Sequence, residues 1–121
     1  MADYSDEVEY QVQDSTCLQQ YELDFIQACF EGELKTVQKL CSNHPDLPLA
    51  VFHIDGYKRK TGLTISAKEG NYEVVEFLLQ SGADTDQTNH KGRTAYHLAL
   101  KHGFRNVCNL IRKYRNVSNK N

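Results

Sequence analysis

No two of the four cysteines, Cys17, Cys29, Cys41 and Cys108, stand in a C-x-x-C pair. That excludes a zinc ribbon and a dithiol redox centre. No stretch approaches the roughly 18 consecutive apolar residues that span a bilayer. The first residues are acidic with no apolar run behind them, so a secretory signal is not expected and the cytosol or nucleus is the default location. Without a secretory route, the glycosylation sequon Asn116-Val117-Ser118 reads as coincidence. G-x-S-x-G, a phosphate loop and paired catalytic carboxylates are all missing, which argues against an enzyme. Proline is scarce, with only Pro45 and Pro48, and both fall in one connection. The rest of the chain is therefore free to be helical.

What is present is enough for one domain. The chain has 121 residues, and a chain of that size buries roughly two thirds of its unfolded surface without needing disulfides. Net charge is −2, but the charge is unevenly spread. Residues 1–24 hold seven acids and no Lys or Arg, whereas residues 87–121 hold eight bases and no acid. Such polarity bears on association rather than on fold. Residues 1–14 read as an acidic flexible tail; the acidic segment 1–24 is first a solubilising tail, and otherwise a candidate for screening a basic surface on the same chain.

The strongest pattern is a repeat. Thr61 returns as Thr94, Leu63 as Tyr96, Gly70 as Gly103, Val74 as Val107 and Phe77 as Leu110, all at an offset of 33 residues. Each copy reads as two helices around a glycine stop. The second unit predicts helices over residues 62–69 and 72–80, and the third over 95–102 and 105–114. An earlier unit fits the frame at an offset of 38, matching Phe25 to Leu63, Cys29 to Ala67, Gly32 to Gly70 and Val37 to Val75. Its first helix is expected to start after Ser15 or Thr16 as N-cap and to end at Gly32. Its second helix is carried by Leu34, Val37, Leu40 and Cys41. The five extra residues fall in the proline-containing connection, where Ala50–Ile54 could be extended and Asp55-Gly56 signals a turn.

With Gly92-Arg93-Thr94-Ala95-Tyr96-His97-Leu98-Ala99 followed by Gly103, and with Leu78-Leu79-Gln80-Ser81-Gly82-Ala83-Asp84, the sequence resembles an ankyrin-repeat protein over about residues 20–114. The resemblance implies an all-α solenoid of three stacked helix–turn–helix units joined by hairpin-like loops. Repeats would span about 18–48, 57–89 and 90–115 within a domain of residues 15–115, followed by a polar tail at 116–121. Where the family has T-P-L-H, this chain has Thr61-Gly62-Leu63-Thr64 and Thr94-Ala95-Tyr96-His97. Loss of the proline is expected to cost stability and not fold. The family's histidine braces neighbouring loops, a task only His97 is expected to perform here. Arg105 and Arg112 replace Tyr72 and Leu79 of the preceding unit, so no fourth repeat is expected to stack.

The resemblance also implies a binding face of hairpin tips and first helices. By position this face carries Tyr57, Lys58, Lys60, Lys68 and Glu69 in the second repeat. In the third it carries His90, Lys91, Arg93, Lys101 and His102. Six of these ten are Lys or Arg and one is acidic, which predicts a basic groove for an acidic protein partner. Ordinary solvated surface charge is the competing reading. Polyanion or nucleic-acid binding through residues 91–115, or an accessory ankyrin region of a larger multidomain protein, are the alternatives, with nucleic acid disfavoured by the acidic tail. No cofactor is expected, and a monomer is. A metal site is not expected, because His97 and His102 share no helical face and Cys29, Cys41 and Cys108 fall on apolar positions. Cys17 is the one thiol expected to be exposed and reactive.

Overall fold

In the computed structural model, residues 18–54 and 58–119 are described. Six helices run α1 (Gln20–Glu31), α2 (Leu34–Asn43), α3 (Gly62–Glu69), α4 (Tyr72–Gln80), α5 (Ala95–Lys101) and α6 (Arg105–Asn119). They pair as α1 with α2, α3 with α4 and α5 with α6. The odd-numbered helices pack side by side in one row, α1 on α3 and α3 on α5, and the even-numbered helices form a second row behind them. This is the stack of three helix–turn–helix units that the period implies.

The glycine stops act as expected. Gly32 and Gly70 end α1 and α3 in the left-handed conformation, with φ of 77° and 73°. Each also lies under a residue of the next repeat. A Cβ on Gly32 would come within 2.8 Å of the Asn71 side chain, and one on Gly70 within 2.6 Å of the Phe104 ring. Asn71 uses that closeness. Its Nδ2 donates to the carbonyls of Cys29 and Phe30, at 2.7 and 3.1 Å, so the second repeat caps the last turn of α1. One core runs through all three units and contains Phe25, Leu78 and Leu110, with Val37, Leu63, Val74, Val75, Val107 and Ile111 around them.

Three local features depart from the sequence reading. Ser15 and Thr16 lie outside the described residues, and α1 begins at Gln20, where Glu22 Oε1 accepts from the Gln19 N–H at 2.8 Å. The connection after α2 is extended over 51–54 as expected, but it is also paired and folded into the core. A 3-10 turn at Leu47–Leu49 buries Leu47 and Pro48, and β1 (Val51–Ile54) pairs antiparallel with β2 (Lys58–Thr61). Phe52 is buried there, its ring centroid 5.9 Å from that of Phe25. Helix α6 continues to Asn119, past the expected end at Tyr114, because no glycine or proline follows Phe104 to stop it.

Candidate functional site

The pairing of β1 with β2 sets Lys60 opposite Phe52 and Arg59 opposite His53, then delivers the chain into α3 without a loop. Thr61 caps that helix. Its Oγ1 accepts from the Thr64 N–H, and Thr64 Oγ1 accepts from the Thr61 N–H, both at 3.0 Å. Thr64 thus performs in the second repeat the capping role that His97 has in the third, where Nδ1 sits 2.9 Å from Thr94 Oγ1.

The next tip is shaped by Asn89. Its Oδ1 accepts from the N–H groups of Lys91 and Arg93, at 2.9 and 3.1 Å, and its own N–H donates to the Arg93 carbonyl at 2.9 Å. This Asx turn presents His90, Lys91 and Arg93 on one short arc. The two tips are tied together by Arg59. Its Nε donates to the Thr88 carbonyl at 3.0 Å and its Nη2 to Thr88 Oγ1 at 2.6 Å. The brace between neighbouring loops therefore comes from Arg59, while the His97 bonds stay within its own helix cap. An arginine fork suits the task, since two parallel donors fix both distance and angle.

Between the tips and the facing ends of α3 and α5 lies a groove of about 180 Å³. Seven of the ten expected residues line it: Lys60, Lys68, His90, Lys91, Arg93, Lys101 and His102. Glu69 is exposed beside the groove but does not line it, and Lys58 contributes through its charge. Tyr57 lies outside the described residues. Arg59, Thr64 and Asn89 complete the walls and Ile65 and Leu98 form an apolar floor. Sequence reasoning passed over these five. Arg59 carries no local signal, because its bond to Thr88 spans 29 residues.

The groove carries six Lys or Arg side chains and two histidines, and none of its lining residues is a carboxylate. The local field is visible in His90, whose pKa is lowered by desolvation and then by the charges of Lys91, Lys58 and Lys60. A hollow of about 400 Å³ on the first repeat is larger but mixes Asp24 and Glu33 with Lys39, so it has no comparable polarity.

Among the described residues no three of His, Cys, Asp and Glu gather as a metal site. Cys29, Cys41 and Cys108 are buried free thiols. Burial pushes all three up, Cys41 to about 11, so none is a ready nucleophile. Cys17 lies outside the described residues. Among those residues no helix is long and apolar enough to cross a membrane.

A stack of paired helices presenting its loop tips and inner helices along one face defines a helical-repeat interaction protein. The family model for ankyrin repeats, in three copies, matches residues 25–121, and the chain belongs to the ankyrin-repeat family. Ankyrin repeats generally mediate protein–protein interaction and are typically non-catalytic. Among curated relatives, the chain is 33% identical over 78 residues to the E3 ubiquitin-protein ligase XBAT32 of Arabidopsis thaliana, covering 64% of this chain and 15% of the relative. It is 31% identical over 81 residues to the human NAD-capped RNA hydrolase NUDT12, covering 67% of this chain and 17% of that protein. The chain thus spans less than a fifth of either. Against Notch-regulated ankyrin repeat-containing protein B of Danio rerio it is 31% identical over 94 residues, covering 78% of this chain and 83% of the relative.

Proposed function

We propose that the chain is a non-enzymatic binding module, of adaptor, scaffold or inhibitor type, that holds an acidic protein segment in the groove between its second and third repeats. The observation that carries this reading is the lining itself: six cationic side chains and no acid around an apolar floor. Such an arrangement favours carboxylates by charge and leaves room for their aliphatic stems. The module acts as a monomer in the cytoplasm or nucleus and needs no cofactor.

The test is joint reversal of Lys58, Lys91 and Lys101 to Glu, with binding of a labelled hexaglutamate peptide read by fluorescence anisotropy. Lys91 and Lys101 are exposed and Lys58 half-buried at the strand end, so the chain should still fold, checked by its melting curve, while affinity falls by roughly a hundredfold, about 1 kcal/mol per contact. Unchanged affinity refutes the groove. A single-stranded oligonucleotide of equal charge serves as competitor, and preference for it over the peptide would move the reading to nucleic acid. Deleting residues 1–14, which hold five acids, should tighten the peptide if they compete for the groove.

A second reading has its own observation. The match to short stretches of much longer relatives fits an accessory ankyrin region that delivers a partner to activity elsewhere on a larger chain. An immunoblot from the native cell decides it, since this reading requires a band well above 13.9 kDa.

A further inference from the structure

The inner-helix residues that line the basic groove occupy fixed positions before the glycine that follows each inner helix. On α3 they stand six, five and two residues before Gly70, and on α5 five, two and one before Gly103. Shifted back by one helix, the same positions are Ile26, Gln27 and Phe30 on α1 and Ile65, Lys68 and Glu69 on α3. The chemistry changes abruptly along this row. Phe30 stands where Lys68 and Lys101 stand in the following repeats, and it is 52% exposed. Ile26 is half-buried beside it. Leu23, seven residues earlier and so on the same helical stripe, is 39% exposed. Gln27 turns its amide along its own helix, donating to Glu31 at 2.7 Å. On the α3 side, Glu69 offsets Lys68.

This shelf is therefore apolar and close to neutral, next to a groove that is strongly cationic. A uniformly acidic ligand gains nothing on it, and Glu69 repels one. Two exposed apolar side chains, Leu23 and Phe30, with half-buried Ile26 between them on one helical stripe need an apolar contact to leave water. We propose that the shelf between the first and second repeats takes a bulky apolar residue of the same partner whose acids occupy the groove. The ligand class is then an acidic run with an aliphatic or aromatic anchor on one side only. This inference rests on the acidic-partner reading of the groove. Neighbouring helices lie about 9 Å apart, which an extended peptide crosses in roughly three residues. The anchor accordingly falls about three residues beyond the acids, and the order of repeats gives the partner a direction.

Three labelled peptides test it against the full chain: hexaglutamate, hexaglutamate followed by Gly-Gly-Trp, and Trp-Gly-Gly followed by hexaglutamate. One of the two tryptophan peptides should bind roughly five- to tenfold tighter than the bare run, and the other like the bare run. Phe30→Ser should erase that gain and leave the bare run unchanged, with the same melting curve because the side chain is exposed. Phe30→Lys should also erase it and should tighten a longer run of nine glutamates, by extending the cationic row to the first repeat. Equal gains at both ends, no gain at either, or a gain that survives Phe30→Ser overturns the shelf and leaves the groove standing. Failure of hexaglutamate itself to bind overturns the groove, and the shelf with it. Sedimentation under the same conditions should give a monomer. A dimer lost in Phe30→Ser would place a second copy on the shelf and overturn the proposal.

Discussion

Replacing Gly62 with the proline that the ankyrin pattern carries at this position should destabilise the protein. The sequence argument alone points the other way, since proline pre-sets the first helical turn and restricts the unfolded chain, a gain of about 0.4–1 kcal/mol. The structure shows why glycine stands there. A Cβ at position 62 would lie 2.7 Å from Phe25 Cζ, 2.8 Å from Cε2 and 3.3 Å from Cys29 Sγ. Carbon atoms in contact prefer about 3.5–4.0 Å. Phe25 is fully buried, with Phe52 packed against it, so the ring has no free direction in which to retreat. Overpacking of this kind costs about 1–3 kcal/mol. After the proline gain is subtracted, the net loss is about 1–2 kcal/mol, a fall in Tm of roughly 5–8 °C for a chain of this size. Gly62→Ala should show most of the same loss, and urea unfolding followed by circular dichroism measures both. The decisive comparison is Gly62→Ala combined with Phe25→Leu. The smaller side chain makes room, so the double variant should be more stable than the sum of the single effects by at least about 1 kcal/mol. Gly62→Ala as stable as the parent, or strict additivity, would refute the packing argument.

Three further expectations follow from particular contacts. Asn71→Ala removes two bonds to the last carbonyls of α1 and should cost about 1–2 kcal/mol in urea unfolding, with Asn71→Asp at least as costly because a carboxylate cannot donate; a loss under about 0.5 kcal/mol would sink the cap. His90 sits below its ordinary 6.5 because of desolvation and then Lys91, Lys58 and Lys60; a bound acidic segment offsets those charges and raises it, so binding takes up a proton. Affinity for hexaglutamate should therefore rise as pH falls from about 6.5 to about 5.5, before glutamate protonates appreciably, and the rise should shrink in His90→Gln. Cys29, Cys41 and Cys108 should resist a thiol reagent at pH 8 until urea unfolds the chain, and prompt labelling of Cys29 in the native protein would contradict its burial.

The period made much of the fold readable. Helices α3 and α4 fall on residues 62–69 and 72–80 as the repeat frame placed them, because Thr61, Gly70 and Gly82 punctuate the chain locally. Departures came where structure depends on distant partners. Residues 50–54 were readable as extended, but their partner β2 was not, and the pairing is what makes β1 a strand. Leu47 and Pro48 look like loop residues in sequence but are buried, and Phe52 packs its ring beside Phe25. Gly62 looked like a lapse from the family pattern, since nothing in its neighbourhood of the sequence reveals an aromatic ring contributed from 37 residues earlier.

The candidate site divides along the same line. Lys68 and Lys101 were legible because equivalent positions of a repeat face the same way, and the lining of the groove brings them together. Arg59 was not, because its role is a bond to Thr88 across 29 residues, and no local pattern marks a side chain that reaches from one tip to the next. That difference bears on how the groove works. Arg59 spends its donors on the Thr88 carbonyl and hydroxyl, so it ties the two tips together, while lysines of both repeats supply the rest of the charge. An Arg59→Lys change keeps the charge and loses the fork. The tips would then be free to separate and the cations to spread, which lowers the field the groove can present to any acidic segment. The charge of the groove is thus written in the repeated positions, and the spacing of its tips in the Arg59–Thr88 contact.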